Sequence, residues 1–238
     1  MKTELLMKKT FRSLALLAAC TGILLPPALW AQGEAGRLYL KGDIGGNWTQ
    51  DTSEREFFGV QTAGSKVKFD PGFRAGVHVG YNLTDWFAPE FEIGVLENRI
   101  RSLPDATFFR ADFANVPFLV NAKFQLPNPS RVAPYIGAGV GGSAAIIDAH
   151  PIHFTDQNEE DVRVRGSDSD AVFAWQAFAG VRVRINDHMA VGLEYRYFAA
   201  DSPSWQVEDR RDFLGSNDTM SFGRIQTHAI SAAFEFTF

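Results

Sequence analysis

Residues 73–95 read FRAGVHVGYNLTDWFAPEFEIGV, and this stretch decides the fold class. The segments Phe73–Tyr81 and Phe87–Val95 alternate apolar residues with polar residues or glycine, and the turn-forming run Asn82–Asp85 separates them. Successive residues of a strand point to opposite faces, so each segment has one apolar and one polar face. The stretch therefore predicts two antiparallel strands joined by a tight turn.

The same alternation recurs, which brings the predicted strands to eight. The other segments are Leu38–Gly45, Val116–Gln125, Pro134–Ala144, Trp175–Ile185, Met189–Tyr197 and Ile230–Phe238. Short links join strands 2 and 3, 4 and 5, and 6 and 7, whereas the other links are long and polar. Because short and long links alternate, the sequence predicts an all-β protein, an eight-stranded antiparallel transmembrane β-barrel with short periplasmic turns and four long extracellular loops.

A soluble ligand-binding barrel would alternate in the same way, with its apolar face inside. Two features favour the membrane. The polar face is rich in glycine and in charges of both signs, which suits a narrow lumen, and aromatic residues lie at both ends of the apolar face, as at the two interfaces of a bilayer. These aromatic girdles are Trp48, Phe73, Trp175 and Tyr197 at one end, and Tyr81, Phe87, Phe124 and Phe238 at the other.

Residues 1–31 have the order of a secretory signal peptide. A basic leader precedes the apolar run Leu14–Leu25, which two prolines break before a small residue at Ala31. A membrane anchor over residues 13–31 is the weaker alternative, and a lipobox ending at Cys20 leaves lipidation open. The predicted organisation is a signal peptide at 1–31 and an outer-membrane barrel domain at 32–238, exported to a Gram-negative cell outer membrane.

Charge and cysteine content exclude several classes of protein. The chain carries a net charge of −5, and the leader contributes +3, so the remainder carries about −8. That balance argues against a nucleic-acid partner. Cys20 is the single cysteine, so the mature chain would have no disulfide or thiolate zinc site.

Three stretches resemble a known family. Residues 134–141 (PYIGAGVG), 192–197 (GLEYRY) and 234–238 (FEFTF) are similar to strands of the small outer-membrane β-barrel family that includes the OmpA transmembrane domain and OmpW. The resemblance implies that Phe234, Phe236 and Phe238 form the signal read by the outer-membrane assembly machinery. It also implies outer-membrane lipid and lipopolysaccharide as surroundings.

The polar face supplies the candidate site. Glu90 and Glu92 share one strand face, so both carboxylates are expected in the lumen. Paired carboxylates can perform acid–base chemistry. Pairing with lumen cations is the stronger interpretation, because unpaired buried charge is costly. We predict a lumen charge network that closes or gates any pore, with these members: Lys41, Asp43, Arg74, Glu90, Glu92, Lys123, Arg182, Arg184, Glu194 and Arg196.

No motif indicates an enzyme, a cofactor or a metal. The GxGxxG spacing of Gly137, Gly139 and Gly142 is not followed by the amphipathic helix that a dinucleotide site needs. His228 and Ser231 are expected on opposite faces of a strand, which disfavours a lipid-A deacylase. The histidines lack metal-ligand spacing, and the acidic run 156–161 is expected to be a solvated loop.

The sequence predicts a structural or surface-interaction role, or a restricted small-solute channel. The alternatives are an outer-membrane lipid-modifying enzyme and a soluble periplasmic ligand-binding barrel. The long loops could bind a surface partner. They carry aromatic residues that could either contact that partner or fold over the barrel mouth: Phe57, Phe58, Phe108, Phe109 and Trp205.

Overall fold

The computed structural model describes residues 35–57, 60–61, 66–102, 106–126, 130–155, 161–206 and 219–238. The chain divides into two units, residues 1–30 and residues 31–238. The predicted signal peptide, Cys20, residues 156–160 of the acidic run, and the side chains of residues 57–58, 108–109 and 161 lie outside what is described. In the described ranges no helix is long and apolar enough to cross a membrane.

The described part of the chain contains thirteen strands, and every pairing between them is antiparallel. They are β1 (Leu38–Thr49), β2 (Thr52–Phe57), β3 (Val60–Gln61), β4 (Lys66–Phe69), β5 (Gly72–Tyr81), β6 (Phe87–Ser102), β7 (Ala106–Gln125), β8 (Val132–Thr155), β9 (Asp161–Arg184), β10 (Met189–Ala200), β11 (Ser204–Gln206), β12 (Thr219–Phe222) and β13 (Ile225–Thr237).

Eight of these strands close into a barrel. The order is β1-β5-β6-β7-β8-β9-β10-β13, and β13 pairs back onto β1, with Leu40 opposite both Phe236 and Val79. The closed antiparallel barrel predicted from the alternation is confirmed. Short links join β5 to β6, β7 to β8 and β9 to β10, and we call this end of the barrel the turn end and the opposite one the loop end.

The long connections contain more strand than their polar sequence indicates. Only residues 103–105 separate β6 from β7, and only residues 156–160 separate β8 from β9, so these hairpins carry the wall beyond the predicted strand ends. In the first and last connections, short strands pair into a sheet of order β11-β12-β2-β4-β6. The two connections are therefore joined to each other and to the wall.

The barrel has apolar side chains outside and charged side chains inside. Ile44, Ile136 and Leu193 are 66%, 64% and 61% exposed on the outer face, whereas Arg74 and Glu92 are fully buried in the lumen. The girdle residues also face outward. Exposing so much apolar surface to water would be unfavourable, so the surroundings are hydrocarbon and the soluble ligand-binding barrel is excluded.

The polarity of both faces of β6 inverts after Val95. Toward the turn end, the outward residues are apolar and the inward residues include Glu90 and Glu92. Toward the loop end, the outward residues are charged and the inward ones include Leu96 and Ile100. This inversion marks the edge of the hydrocarbon. On β7 the outward residues from Val116 to Phe124 are apolar and span about 21 Å along the barrel axis, given the usual rise and tilt of barrel strands, which is close to a lipid-facing band of about 25 Å.

A second, apolar layer fills the lumen at the loop end. Trp205 lies at its centre, where it is 1% exposed and donates a hydrogen bond from Nε1 to the carbonyl of Ala145 at 2.8 Å. Its ring contacts Phe113 and Phe222 edge to face, at centroid distances of 6.0 and 5.0 Å. Trp205 therefore folds into the barrel mouth and is not a surface contact residue. We call this layer the mouth cluster: Val67, Phe69, Leu96, Ile100, Ala111, Phe113, Leu119, Ala145, Ile147, Ala174, Phe198, Ala200, Trp205, Met220, Phe222 and Ile225.

Candidate functional site in the barrel lumen

The candidate site is a layer of charged side chains between the turn end and the mouth cluster. Each strand contributes alternate residues to the lumen, so charges from β1, β5, β6, β7, β9, β10 and β13 converge there. Arg184 lies half-buried at the turn end of β9. The structure buries the other nine residues of the predicted network: Lys41, Asp43, Arg74, Glu90, Glu92, Lys123, Arg182, Glu194 and Arg196.

Glu90 accepts contacts from three neighbours. Its carboxylate lies 3.0 Å from Nζ of Lys123 and 3.4 Å from Nζ of Lys41, and the hydroxyl of Tyr39 donates to it at 2.5 Å. Lys41 extends the network, because the same ammonium lies 3.3 Å from Glu194. Lys123 also lies near a second carboxylate, that of Glu235. Each lysine thus bridges two carboxylates, which holds the layer together across the lumen.

Glu92 accepts hydrogen bonds from four neighbours. Arg74 and Arg196 donate to it at 2.5 and 2.7 Å, and the side-chain amides of Asn121 and Gln176 donate at 2.8 and 2.5 Å. Both arginines also pair with a second carboxylate, Arg74 with Asp43 and Arg196 with Glu194. Glu92 is therefore the most heavily bonded carboxylate among those described.

The remaining contacts complete one continuous network. Glu235 lies 2.5 Å from Arg182 and 3.3 Å from Lys123, and the imidazole of His78 lies 2.7 Å from Asp43. Ion pairs run without a break from Arg182 at one end of the layer to Asp43 at the other, and Asp43 lies within hydrogen-bond distance of His78. The layer contains five cations (Lys41, Arg74, Lys123, Arg182, Arg196) and five carboxylates (Asp43, Glu90, Glu92, Glu194, Glu235), so the formal charges of these ten side chains balance.

Several members of this network are absent from the predicted set. Glu235 and His78 have the correct strand parity, because each lies between outward apolar residues, and the alternation rule could have added them. Nothing in the sequence indicates that Tyr135 would turn its hydroxyl to Glu194, at 3.0 Å. The hydrogen-bond partners of Tyr135, Tyr39, Asn121 and Gln176 all depend on the register between strands of the barrel, which the sequence does not give.

Glycines in the wall make room for large lumen side chains. A Cβ at Gly80 would lie 2.1 Å from the ring of Tyr39, and a Cβ at Gly180 would lie 2.5 Å from the ring of Tyr135. The GxGxxG stretch contains glycine for the same reason, since a Cβ at Gly137 would lie 2.2 Å from the ring of Phe178. Close packing in a narrow lumen thus accounts for the glycines of this motif that face inward.

The other candidate groups are placed as follows. His228 faces outward and Ser231 is buried in the lumen, so they lie on opposite sides of β13. Across the ranges that the structure describes, no group of three His, Cys, Asp or Glu residues could hold a metal ion. Phe234, Phe236 and Phe238 all face outward on or beside the last strand, and the amide of Phe238 donates to the carbonyl of Leu38 at 2.9 Å.

Comparison with solved structures gives the same architecture. OprG from Pseudomonas aeruginosa is 13% identical, with a TM-score of 0.57 over 86% of this chain and 96% of that chain, which shows a shared fold alone. Neisserial surface protein A (15% identity, TM-score 0.46, 84% and 97% covered) and the Escherichia coli protease OmpT (8% identity, TM-score 0.45, 85% and 97% covered) are more distant. No curated protein sequence matches the chain.

A family model decides the classification. The model described as the outer membrane protein beta-barrel domain matches residues 13–238, which is nearly the whole chain. The match agrees with the closed barrel, its apolar outer band and its charged lumen. The chain belongs to the family of outer membrane protein beta-barrel domains and is a protein of the Gram-negative outer membrane.

Proposed function

We propose that this protein is a closed outer-membrane barrel with a structural and surface-interaction role. The single observation that supports this most directly is the filled lumen. The charge network occupies the middle of the barrel, and the mouth cluster occupies its loop end. Eight-stranded barrels leave an interior that side chains can fill, and both layers here do so.

The energetics of the charged layer favour closure. Each carboxylate is held by two or more donors, so a passing solute would have to separate several buried ion pairs at once. Removing one partner from a buried pair costs about 3–5 kcal/mol. Thermal fluctuation would therefore open a continuous aqueous path only rarely.

Solute flux tests closure directly. The purified barrel would be placed in planar bilayers for conductance recording, and in liposomes for swelling in arabinose. We expect conductance below that of a general porin control and no swelling. Steady conductance with rapid swelling would contradict closure. A sample shown to be folded by its faster migration on an unboiled gel is the required control.

A restricted small-solute channel is the second candidate. It is favoured by the continuity of the ion pairs, because exchange of partners along them could open a narrow path. It is also favoured by His78, whose Nδ1 has no hydrogen-bond partner among the described residues and lies 3.5 Å from Glu92 and 3.7 Å from Glu90. Single-channel recording separates the candidates: Glu92→Gln should raise the opening frequency of a gated channel and leave a closed barrel silent.

The surface role is supported by the ordered sheet that joins the first and last connections at the loop end. We propose that this end faces the cell exterior. A membrane-impermeant amine reagent added to intact cells should label Lys66 and Lys68, which are exposed on β4. Labelling only after the outer membrane is broken would place the loop end in the periplasm and contradict the proposal.

Export and the absence of catalysis also belong to the proposal. We expect cleavage after Ala31, with mature protein beginning at Gln32, and N-terminal sequencing of the outer-membrane form would show this. Radiolabelled palmitate on Cys20 would instead indicate a lipoprotein. Because the structural neighbour OmpT is named a protease, incubation with lipid A and with casein should be done, and we expect neither to be cleaved.

A further inference from the structure

The outer surface at the loop end carries a row of basic side chains directly beside the lipid-facing band. We call it the basic ridge and define it as Arg55, Lys66, Lys68, Arg99 and Arg101, all exposed. These residues lie on β2, β4 and β6, which are neighbours in the sheet. Ser53 of β2 pairs with Lys66, and Lys68 lies opposite Ser102 across a bulge, next to Arg101.

The orientation of the ridge is fixed by the residues between its members. Val67 and Phe69 of β4, and Ile100 of β6, point into the mouth cluster. Their neighbours Lys66, Lys68, Arg99 and Arg101 must therefore point away from the barrel axis, because successive strand residues alternate between faces. The ridge faces sideways, toward whatever surrounds the barrel above the hydrocarbon.

The height of the ridge matches the headgroup layer. Val95 is the last apolar outward residue of β6, and Arg99 follows four residues later. At the usual rise and tilt of a barrel strand, Arg99 lies about 10 Å beyond the hydrocarbon edge, and Arg101 about 15 Å. The polar headgroup region begins at that edge, and long basic side chains can reach back toward it.

The ridge cations make few and weak contacts with acidic side chains in the described part of the chain. Among the described residues, neither lysine has an ion-pair partner within 4.0 Å. The two arginines have only loose partners, since Nε of Arg99 lies 3.7 Å from Asp112 and Nε of Arg101 lies 3.6 Å from Asp70. Those distances exceed a normal hydrogen bond, and exposed pairs of this kind contribute little. In contrast with the lumen arginines, the ridge arginines are not fixed by the protein.

We propose that the basic ridge binds the phosphorylated sugar headgroup of a glycolipid in the outer leaflet, an inference that rests on the proposed orientation of the loop end toward the cell exterior. Guanidinium and ammonium groups are the side chains that pair with phosphate, and clusters of them beside a membrane bind anionic lipid headgroups. The apolar band below the ridge would contact the acyl chains of the same molecule. A ligand with phosphate above and acyl chains below satisfies both surfaces, whereas a soluble anionic glycan would use only the ridge.

Lipid A with and without its phosphates tests the proposal. The full-length protein in a neutral detergent would be titrated with bisphosphorylated lipid A, and bound lipid measured by native mass spectrometry. Arg99→Gln should weaken binding roughly fivefold, and Arg99→Gln with Arg101→Gln roughly thirtyfold, if each cation contributes as at an anionic membrane surface. The matched control is Arg131→Gln, an exposed arginine at the turn end, which should bind as the unaltered protein does.

Three outcomes would overturn the proposal. Equal binding by Arg99→Gln and Arg131→Gln would show that the ridge does not contact the lipid. Equal affinity for lipid A stripped of both phosphates would show that acyl contacts alone hold it. Binding of heparin at the ridge without binding of lipid A would assign it to a soluble anionic glycan instead. All substituted side chains are exposed, and the gel shift on heating would verify that each variant is folded.

Discussion

Replacement of Glu92 by glutamine is the sharpest test of the lumen network. Glutamine keeps the size of the side chain but removes the charge that Arg74 and Arg196 both contact, at 2.5 and 2.7 Å. The lumen layer then carries one uncompensated positive charge. Breaking a buried ion pair costs about 3–5 kcal/mol. Because Asp43 and Glu194 still pair with the two arginines, we expect the lower value, about 3 kcal/mol of unfolding free energy.

The assay is equilibrium unfolding in urea of the barrel refolded into lipid vesicles, followed by tryptophan fluorescence and by the gel shift on heating. The matched control is Glu97→Gln on the same strand, whose half-buried side chain faces outward, and we expect it to change stability by less than about 0.5 kcal/mol. A double variant, Glu92→Gln with Arg196→Gln, restores the charge balance and should show a coupling of about 1 kcal/mol or more. If Glu92→Gln unfolds within about 0.5 kcal/mol of the unaltered barrel, the network does not hold the lumen as we describe.

Four further outcomes are expected. Gly80→Ala should cost about 1–3 kcal/mol in the same urea assay because the new methyl overlaps a lumen tyrosine, whereas Gly42→Ala, with nothing within 4 Å of the new Cβ, should be neutral. Trp205→Ala should cost about 3–5 kcal/mol by emptying the centre of the mouth cluster, and unchanged stability would mean that the cluster does not seal the mouth. Leu193→Arg places a charge on the lipid face and should cost about 2–4 kcal/mol near the midplane. Phe238→Ala should lower the yield of barrel in isolated outer membranes without changing the stability of refolded protein, and an unchanged yield would argue against its role in assembly.

Alternation predicted the wall of the barrel well because it depends on one physical rule. Because hydrocarbon surrounds the barrel and its lumen is polar, apolar and polar residues must alternate along every strand. Segments such as Phe87–Val95 were therefore predicted correctly as strands, with Glu90 and Glu92 on the lumen side. The rule gives faces and not partners. Which cation contacts Glu92 depends on the stagger between neighbouring strands. The residue composition of a strand does not indicate that stagger, so the partner could not be predicted.

The loop end was harder to predict for a related reason. Beyond Val95 the outward residues of β6 are charged and the inward ones include apolar residues. A search for strands with an apolar outer face therefore stops at Val95, although the strand continues to Ser102. The strand is prolonged by pairing with β4 and with the first half of β7. Neither segment was predicted as a strand from its sequence. Trp205 could not be assigned to the mouth cluster from sequence, because its burial depends on contacts with residues of β7, β8 and β12.

Because β13 pairs with β1, the wall is a closed ring in which the positions of the chain termini do not affect the pairing of strands. Arg37 donates from Nε to the carbonyl of Phe238 at 3.1 Å across 201 positions of the chain. Leu38 and Phe238 are adjacent in space, so a short linker could join them without disturbing any strand pair. Circular permutation tolerates new termini at exposed turns, and Leu83, between β5 and β6, is 52% exposed. A permuted chain that begins and ends there would keep every ladder of the ring and place the former last strand in the middle of the sequence.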